Sequence, residues 1–160
     1  MNIRRSTSAD ASAIAGMILA LARDSGSSDV PQVTGNQIAE FSSGPEPILW
    51  IWVAESQGIL AGVILLEPMF STWRGQKGFY GVDLYVSPDF RSQGLGEGLM
   101  RRAASEAMAA GGEFLRLEVE DTNPAAKRLY ARLGFAEKPH QLMFLEKDGL
   151  ADLSTAPAIR

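Results

Sequence analysis

Two consecutive segments, ILWIWVAES (48–56) and ILAGVILLEP (59–68), are apolar at almost every position and are parted only by Gln57-Gly58. Their β-branched and aromatic content, with turn residues at the boundaries, predicts two strands joined by a two-residue hairpin. Strands without a polar face belong in the middle of a sheet that is covered on both sides. With 160 residues and 46% apolar composition, the chain can bury one sizeable core of this kind, and a second domain is not expected.

The flanking segments offer the cover. NIRRST (2–7) reads as a short strand, and residues 8–23 set Ile14, Ile18 and Leu21 at helical spacing with Ala11 one turn earlier. DSGSSDVPQVTG (24–35) is dense in turn residues and reads as a flap, while NQIAEFSS (36–43) is a short helix stopped by GPEP. After the hairpin, FSTWRGQKG (70–78) reads as a loop and FYGVDLYV (79–86) as a strand ended by Ser87-Pro88. Residues 96–112 form a helix with Leu99, Ala103, Ala107 and Ala110 on one face and an outward Glu97–Arg101 pair. FLRLEVED (114–121) alternates Leu115, Leu117 and Val119 with Arg116, Glu118 and Glu120, a strand pattern. Asn123-Pro124 caps and opens a helix that Gly134 stops, and QLMFLEK (141–147) is a last strand. The order β-α-α-β-β-β-α-β-α-β makes an α/β fold, a mixed sheet with helices on both faces. One domain over residues 1–147 is expected, followed by a loose polar tail over 148–160.

Composition removes several function classes. There is no apolar run of about 18 residues and no basic-plus-apolar leader, so neither a membrane span nor a secretion signal is expected, and the expected compartment is the cytoplasm. The absence of cysteine removes disulfides, thiolate metal sites and catalysis through a protein thiol, and no metal is expected. A net charge of -4 without any basic run gives nucleic acid little to hold, and a small cationic partner fits better.

The densest chemical signal is RSQGLGEGLM (91–100), an arginine and three alternating glycines that open a helix. A helix amino-terminus offers unpaired N–H groups and roughly half a positive charge, which attract phosphate. Gly94, Gly96 and Gly98 leave the backbone open to an anion, and Arg91 adds a fork-shaped donor suited to phosphate oxygens. A flexible turn ahead of a structural helix explains the same residues. A P-loop requires a lysine that is absent here, and a dinucleotide fingerprint requires G-x-G-x-x-G directly after the strand, whereas SPDFRSQ intervenes. Glu118 does stand about where a ribose-binding acid would.

Taken with a second motif, this segment resembles the GCN5-related N-acetyltransferase family. The family's R/Q-x-x-G-x-G/A is matched by Arg91, Gly94 and Gly96. Its N-x-x-A-x-x-x-Y-x-x-x-G-F is matched by Asn123, Ala126, Tyr130, Gly134 and Phe135. The resemblance implies the family's α/β fold, with a mixed, mostly antiparallel central sheet and helices on both faces. It implies acetyl-CoA as cosubstrate, with the backbone of Leu84, Tyr85 and Val86 pairing with the pantetheine arm. Ser92, Gln93, Gly94, Leu95, Gly96 and Glu97 would surround the pyrophosphate, and Asn123 and Ala126 would lie beside the cofactor. A homodimer is implied as well. Within the family, FSTWRGQKGFYGVDLYV is most similar to the diamine branch, which includes the spermidine/spermine and thialysine acetyltransferases. That branch carries two adjacent acids in the strand. Here Val82 replaces the first and Asp83 retains the second, so a carboxylate associated with holding a cationic amine is missing.

Acetyl transfer to an amine needs a neutral amine, a polarised carbonyl and a proton for the departing thiolate. A lysine-like amine with a pKa of ~10.4 is almost wholly protonated at neutral pH, so a base or desolvation has to help. Asp83, Glu118 and Glu120 are the candidate bases. Tyr130, a phenol with a pKa of ~10, stays protonated and is the candidate acid, and a backbone N–H of the cofactor strand would polarise the carbonyl. Without cysteine, direct attack in a ternary complex is the economical route. Structural readings stand beside these: Tyr130 as a core aromatic, Asp83 as a tie for the loop around Lys77, and the two glutamates as a solvated sheet face. Trp50, Trp52, Phe70 and Trp73 read as core or loop anchors, with Trp73 also placed to wall an acceptor pocket, and His140 has no assigned role. The expected acceptor is a small primary amine, a diamine or lysine-like molecule. Peptide or protein amines, and a non-catalytic acyl-CoA sensor, are the alternatives.

Overall fold

The computed structural model describes residues 2–139, 143 and 145–155. Its elements are β1 (Asn2–Arg5), α1 (Ala11–Ser25), α2 (Gly35–Phe41), β2 (Trp50–Ser56), β3 (Ile59–Ser71), β4 (Gln76–Val86), α3 (Leu95–Ala109), β5 (Leu115–Leu117), α4 (Pro124–Arg132) and α5 (Lys147–Thr155). The five strands lie in sequence order, antiparallel throughout except for the parallel pair β4–β5. This is the expected mixed, mostly antiparallel α/β sheet.

Alternation along β2 shows why both faces are covered. Ile51 and Val53 are fully buried with Ile14 and Ile18 of α1 and Ile38 of α2, whereas Trp52 and Ala54 point the other way into a cluster with Leu99, Ala103 and Ala107 of α3. Each large apolar side chain withdrawn from water contributes about 1.5–3 kcal/mol, so the central hairpin anchors two cores at once. Its turn uses Gln57 and Gly58 at φ 52° and 77°, the left-handed geometry that matches strand twist. Helix α1 starts from Asp10, whose carboxylate accepts from the Thr7 backbone N–H at 2.7 Å and from both terminal nitrogens of Arg4 at 2.8 and 2.9 Å.

Several sequence expectations change. The loop expected over 70–78 is mostly strand: β3 and β4 pair out to Ser71 and Gln76, leaving a short turn between. Pro68 is tolerated there because β3 loses its β2 neighbour after Leu66 and has a partner on one side only. Trp73 at the tip is 99% exposed and Phe70 is exposed too, so neither is a core anchor. The strand expected over 114–121 shrinks to three residues because β5 pairs with β4 only at Phe79–Gly81 before the two chains part. Of the strand expected over 141–147, residues 141, 142 and 144 lie outside the described residues, as does His140, while Met143, Leu145 and Glu146 are not in a strand and Lys147 is helical. Lys147 opens α5, so the segment expected to be a loose tail is helical to Thr155. Among the described residues no helix is long and apolar enough to cross a membrane.

Candidate active site

Where β4 and β5 part, the sheet opens into a cleft of about 750 Å³. Beyond Gly81 and Leu117, β4 continues to Val86 with β3 on one side and, among the described residues, no strand on the other. The parting coincides with a bulge: Leu65 pairs with Asp83 and Leu66 with Gly81, so Val82 has no partner opposite. One wall is β4 with the loop from Phe90 to Gly94, another is α1 with Ser27–Pro31, and the third is Leu117–Glu120 with α4.

At one end of the cleft stands the amino-terminus of α3. Its N-cap is Gly94 at φ 78°, which supplies no side-chain hydrogen bond, so the first N–H groups of the helix are left for another acceptor. Gly94, Leu95, Gly96 and Glu97 all line the cleft. The Glu97 carboxylate, which would repel an anion here, is bonded by Arg101 at 2.8 Å and faces Arg132 at 3.9 Å. By contrast α4 carries a side-chain cap, with Asn123 Oδ1 accepting from the Ala126 N–H at 3.0 Å and Pro124 in the first position. The Arg91 fork is already engaged: Nε donates to the Val86 carbonyl at 2.8 Å and a terminal nitrogen donates to Asp24.

At the other end are an acid and a phenol. Burial pushes the Asp83 carboxyl above the usual carboxylate range, and the Glu67 carboxylate pushes it further. Burial likewise raises the Tyr130 phenol above its ordinary value, with the Asp83 charge adding to the effect. The Tyr130 ring packs against Phe135 at 5.6 Å. Neither the Tyr130 hydroxyl nor the Asp83 carboxylate has a hydrogen-bond or ion-pair partner among the described residues. Glu118 is tied to Arg116 at 3.1 Å, and Glu120 accepts from Thr122 at 3.3 Å. A half-buried acid with raised proton affinity beside a phenol held protonated can accept one proton and supply another.

The cleft therefore gathers Asp83, Glu118, Glu120 and Tyr130 with Leu84, Val86, Arg91, Ser92, Gly94, Leu95, Gly96, Glu97, Asn123 and Ala126. Tyr85 and Gln93 are not in its lining: the Tyr85 side chain is buried against α1 with Ile14 and Val63, and the Gln93 amide donates to the Asp89 carbonyl at 3.2 Å. Asp83 does not tie down Lys77, whose ammonium donates to the Ala110 carbonyl at 3.0 Å. Trp73 does not wall the cleft. Two contributors escape a reading of sequence. Glu67 reaches Asp83 only through the strand register, and the α1 wall (Ile18, Leu21, Ala22, Ser25) reads in sequence as core alone.

A model of the Acetyltransferase (GNAT) family matches residues 16–135. The chain is 32% identical over 140 residues to the thialysine N-epsilon-acetyltransferase of Bos taurus, covering 82% of each protein. It is 31% identical over 103 residues to an L-amino acid N-acyltransferase of Escherichia coli K12, covering 62% of this chain and 58% of that protein. In fold, an integron cassette protein from the mobile metagenome of V. cholerae matches with a TM-score of 0.77 at 21% identity, over 97% of this chain and 98% of that one. The family match begins inside α1 and ends just past α4, so it takes in every wall of the cleft, and on that ground the chain belongs to the acetyltransferase (GNAT) family and is an N-acetyltransferase.

Proposed function

We propose that the protein transfers acetyl from acetyl-CoA, the family's cosubstrate, to the primary amine of a small cationic acceptor, a diamine or lysine-like amino acid. One observation carries this reading: a single cleft joins an uncapped helix amino-terminus to an unpartnered acid–phenol pair. The uncapped N–H groups of α3 suit the coenzyme's phosphates, and the stretch 82–86 of β4, open on one side, suits the amide-bearing arm as an added strand. Because the Val86 carbonyl is taken by Arg91, the free pairing groups are those of the preceding residues. The similarity to a thialysine acetyltransferase and to an L-amino acid acyltransferase supports an amine of amino-acid size.

The chemistry then divides between two side chains. Asp83 takes a proton from the bound ammonium, directly or through water, and frees the lone pair that attacks the thioester carbon. As the carbon–sulfur bond breaks, Tyr130 gives its proton to the thiolate, and its phenolate recovers one from the nitrogen that has become the amide. A β4 N–H stabilises charge on the carbonyl oxygen. Acetyl-CoA-dependent thiol release over a panel of diamines, polyamines, lysine analogues, aminoglycosides and short peptides tests the reading, and a chain without cysteine adds no thiol background. Turnover on diamines or lysine analogues is the expected result. Turnover confined to peptides, or coenzyme binding with no turnover at all, would overturn it.

A further inference from the structure

The loop that leads from β4 to α3 is bent in an unusual way. Ser92 has φ 60°, a left-handed conformation that a non-glycine residue adopts only at some cost, and Gly94 follows at φ 78°. Such a bend persists where its surroundings hold it. Its anchor is Arg91, which folds back on the strand it has just left. The Ser87 N–H donates to the Ala61 carbonyl on the β3 side, so the Val86 carbonyl across the same trans peptide points the other way, and Arg91 Nε caps it at 2.8 Å. The guanidinium also lies 5.8 Å from the Tyr85 ring centroid.

What fixes the guanidinium from the far side is Asp24. It sits in the last turn of α1, where the helix dipole disfavours a negative charge, so it does little for α1 by itself and is compensated by Arg91. The pair joins α1, whose Leu21, Ala22 and Ser25 line the cleft, to the loop that carries Ser92 and Gly94. We propose that Asp24 is a positioning residue for coenzyme binding: by holding Arg91 on the Val86 carbonyl, it presets the bend that aims the amino-terminus of α3 into the cleft. Arg91 thus organises the phosphate loop from behind. This rests on the reading of that end of the cleft as the coenzyme end.

The test measures coenzyme A binding by calorimetry, without any amine, for wild type and Asp24→Asn, alongside KM and kcat for acetyl-CoA with an active acceptor. An exposed pair of this kind is worth a few-fold, so D24N should weaken coenzyme A binding and raise KM about two- to fivefold while kcat at saturation stays within twofold. The gap between wild type and variant should narrow in high salt, which screens the pair. Asp24→Glu should restore binding, and Arg91→Lys, which keeps the charge but cannot serve both partners, should behave like D24N. Equal or tighter coenzyme binding by D24N would overturn the proposal, as would a loss confined to kcat. If no amine is acetylated by wild type, the acceptor assignment fails while the calorimetric comparison still decides the role of Asp24.

Discussion

At Tyr130, burial and the neighbouring Asp83 charge push in the same direction, toward a phenol that keeps its proton. A group so biased is useful only where the proton is given away late, to a strong base such as a departing thiolate. Tyr130→Phe should therefore lower kcat by about 10²–10⁴, leave coenzyme A affinity unchanged, and leave Tm unchanged because the hydroxyl has no described partner. Wild-type turnover in this variant would take the phenol out of the reaction. Asp83 has the opposite duty and must be ionised to accept a proton. Its raised pKa places the acid limb of kcat/KM above the ordinary carboxylate range, and activity falls as the pH drops through that value. Since the Glu67 charge is part of the cause, Glu67→Gln should move the limb toward lower pH, whereas a limb that stays in place would mean burial acts alone. Tyr130 and Asp83 could be found in sequence because each sits in a motif of fixed spacing. Glu67 could not: it shares a face with Asp83 only because Leu65 pairs with Asp83 and the chain bulges at Val82.

Among the elements, α3 shows how far a motif can be read. Three alternating glycines look equivalent in sequence, yet they have three different surroundings. Gly94 carries the left-handed turn, Gly96 has its nearest neighbours at an ordinary 3.6 Å, and a Cβ at Gly98 would sit 3.1 Å from the tip of Ile3. Only Gly96 combines relaxed helical backbone with a place in the cleft lining. Gly96→Ala should therefore raise stability by up to about 1 kcal/mol through helix propensity and leave the KM for acetyl-CoA unchanged, because the new methyl meets only Leu129 and Val86 at ordinary contact distance and the family motif takes alanine at this position. A several-fold rise in KM would mean that the phosphates pass within reach of the new methyl. Helices α3 and α4 were legible because Gly94, Asn123, Pro124 and Gly134 punctuate them locally. Strand β5 was legible only as a pattern. Leu115, Leu117 and Val119 alternate as strand residues do, but pairing stops at Leu117 because the chain turns away to build the cleft wall. The β3–β4 extension was hidden for a related reason, since Ser, Gly and Lys between 70 and 78 read as loop until a partner strand completes their hydrogen bonds.

For the whole molecule, the apolar β2–β3 hairpin dictated a sheet covered on both faces, and the chain folds that way. What it did not disclose is the polar clamp joining β1, α1 and β2. Arg4 binds both oxygens of buried Asp10 and reaches Glu55 with Nε at 2.9 Å, and Asp10 also accepts from the Thr7 hydroxyl at 2.9 Å. Thr7 and Asp10 meet through a local three-residue spacing, but Glu55 joins Arg4 only once the first strand has paired with Val53 and Trp52, so no local spacing announces the whole clamp. The Arg4 bonds, then burial in the opposing sense, then the Thr7 bonds leave the Asp10 carboxyl well below its ordinary range. An acid with a depressed folded pKa binds its proton more readily in the unfolded chain. Its contribution is complete above an unfolded value near 3.8 and is lost progressively as pH falls below it toward the folded value. Asp83 carries the reverse sign, because its raised pKa makes the ionised form a cost to the fold at neutral pH. Charge-assisted bonds of the Asp10 kind, discounted for the partly exposed Arg4, suggest that Asp10→Asn loses about 1–3 kcal/mol at pH 7. Below pH 4 the gap between wild type and variant should shrink, because wild type sheds the contribution that the variant never had. Denaturant melts at pH 7 and pH 3 would read this directly, and a gap that is constant across that range would mean the clamp acts through packing and not through charge.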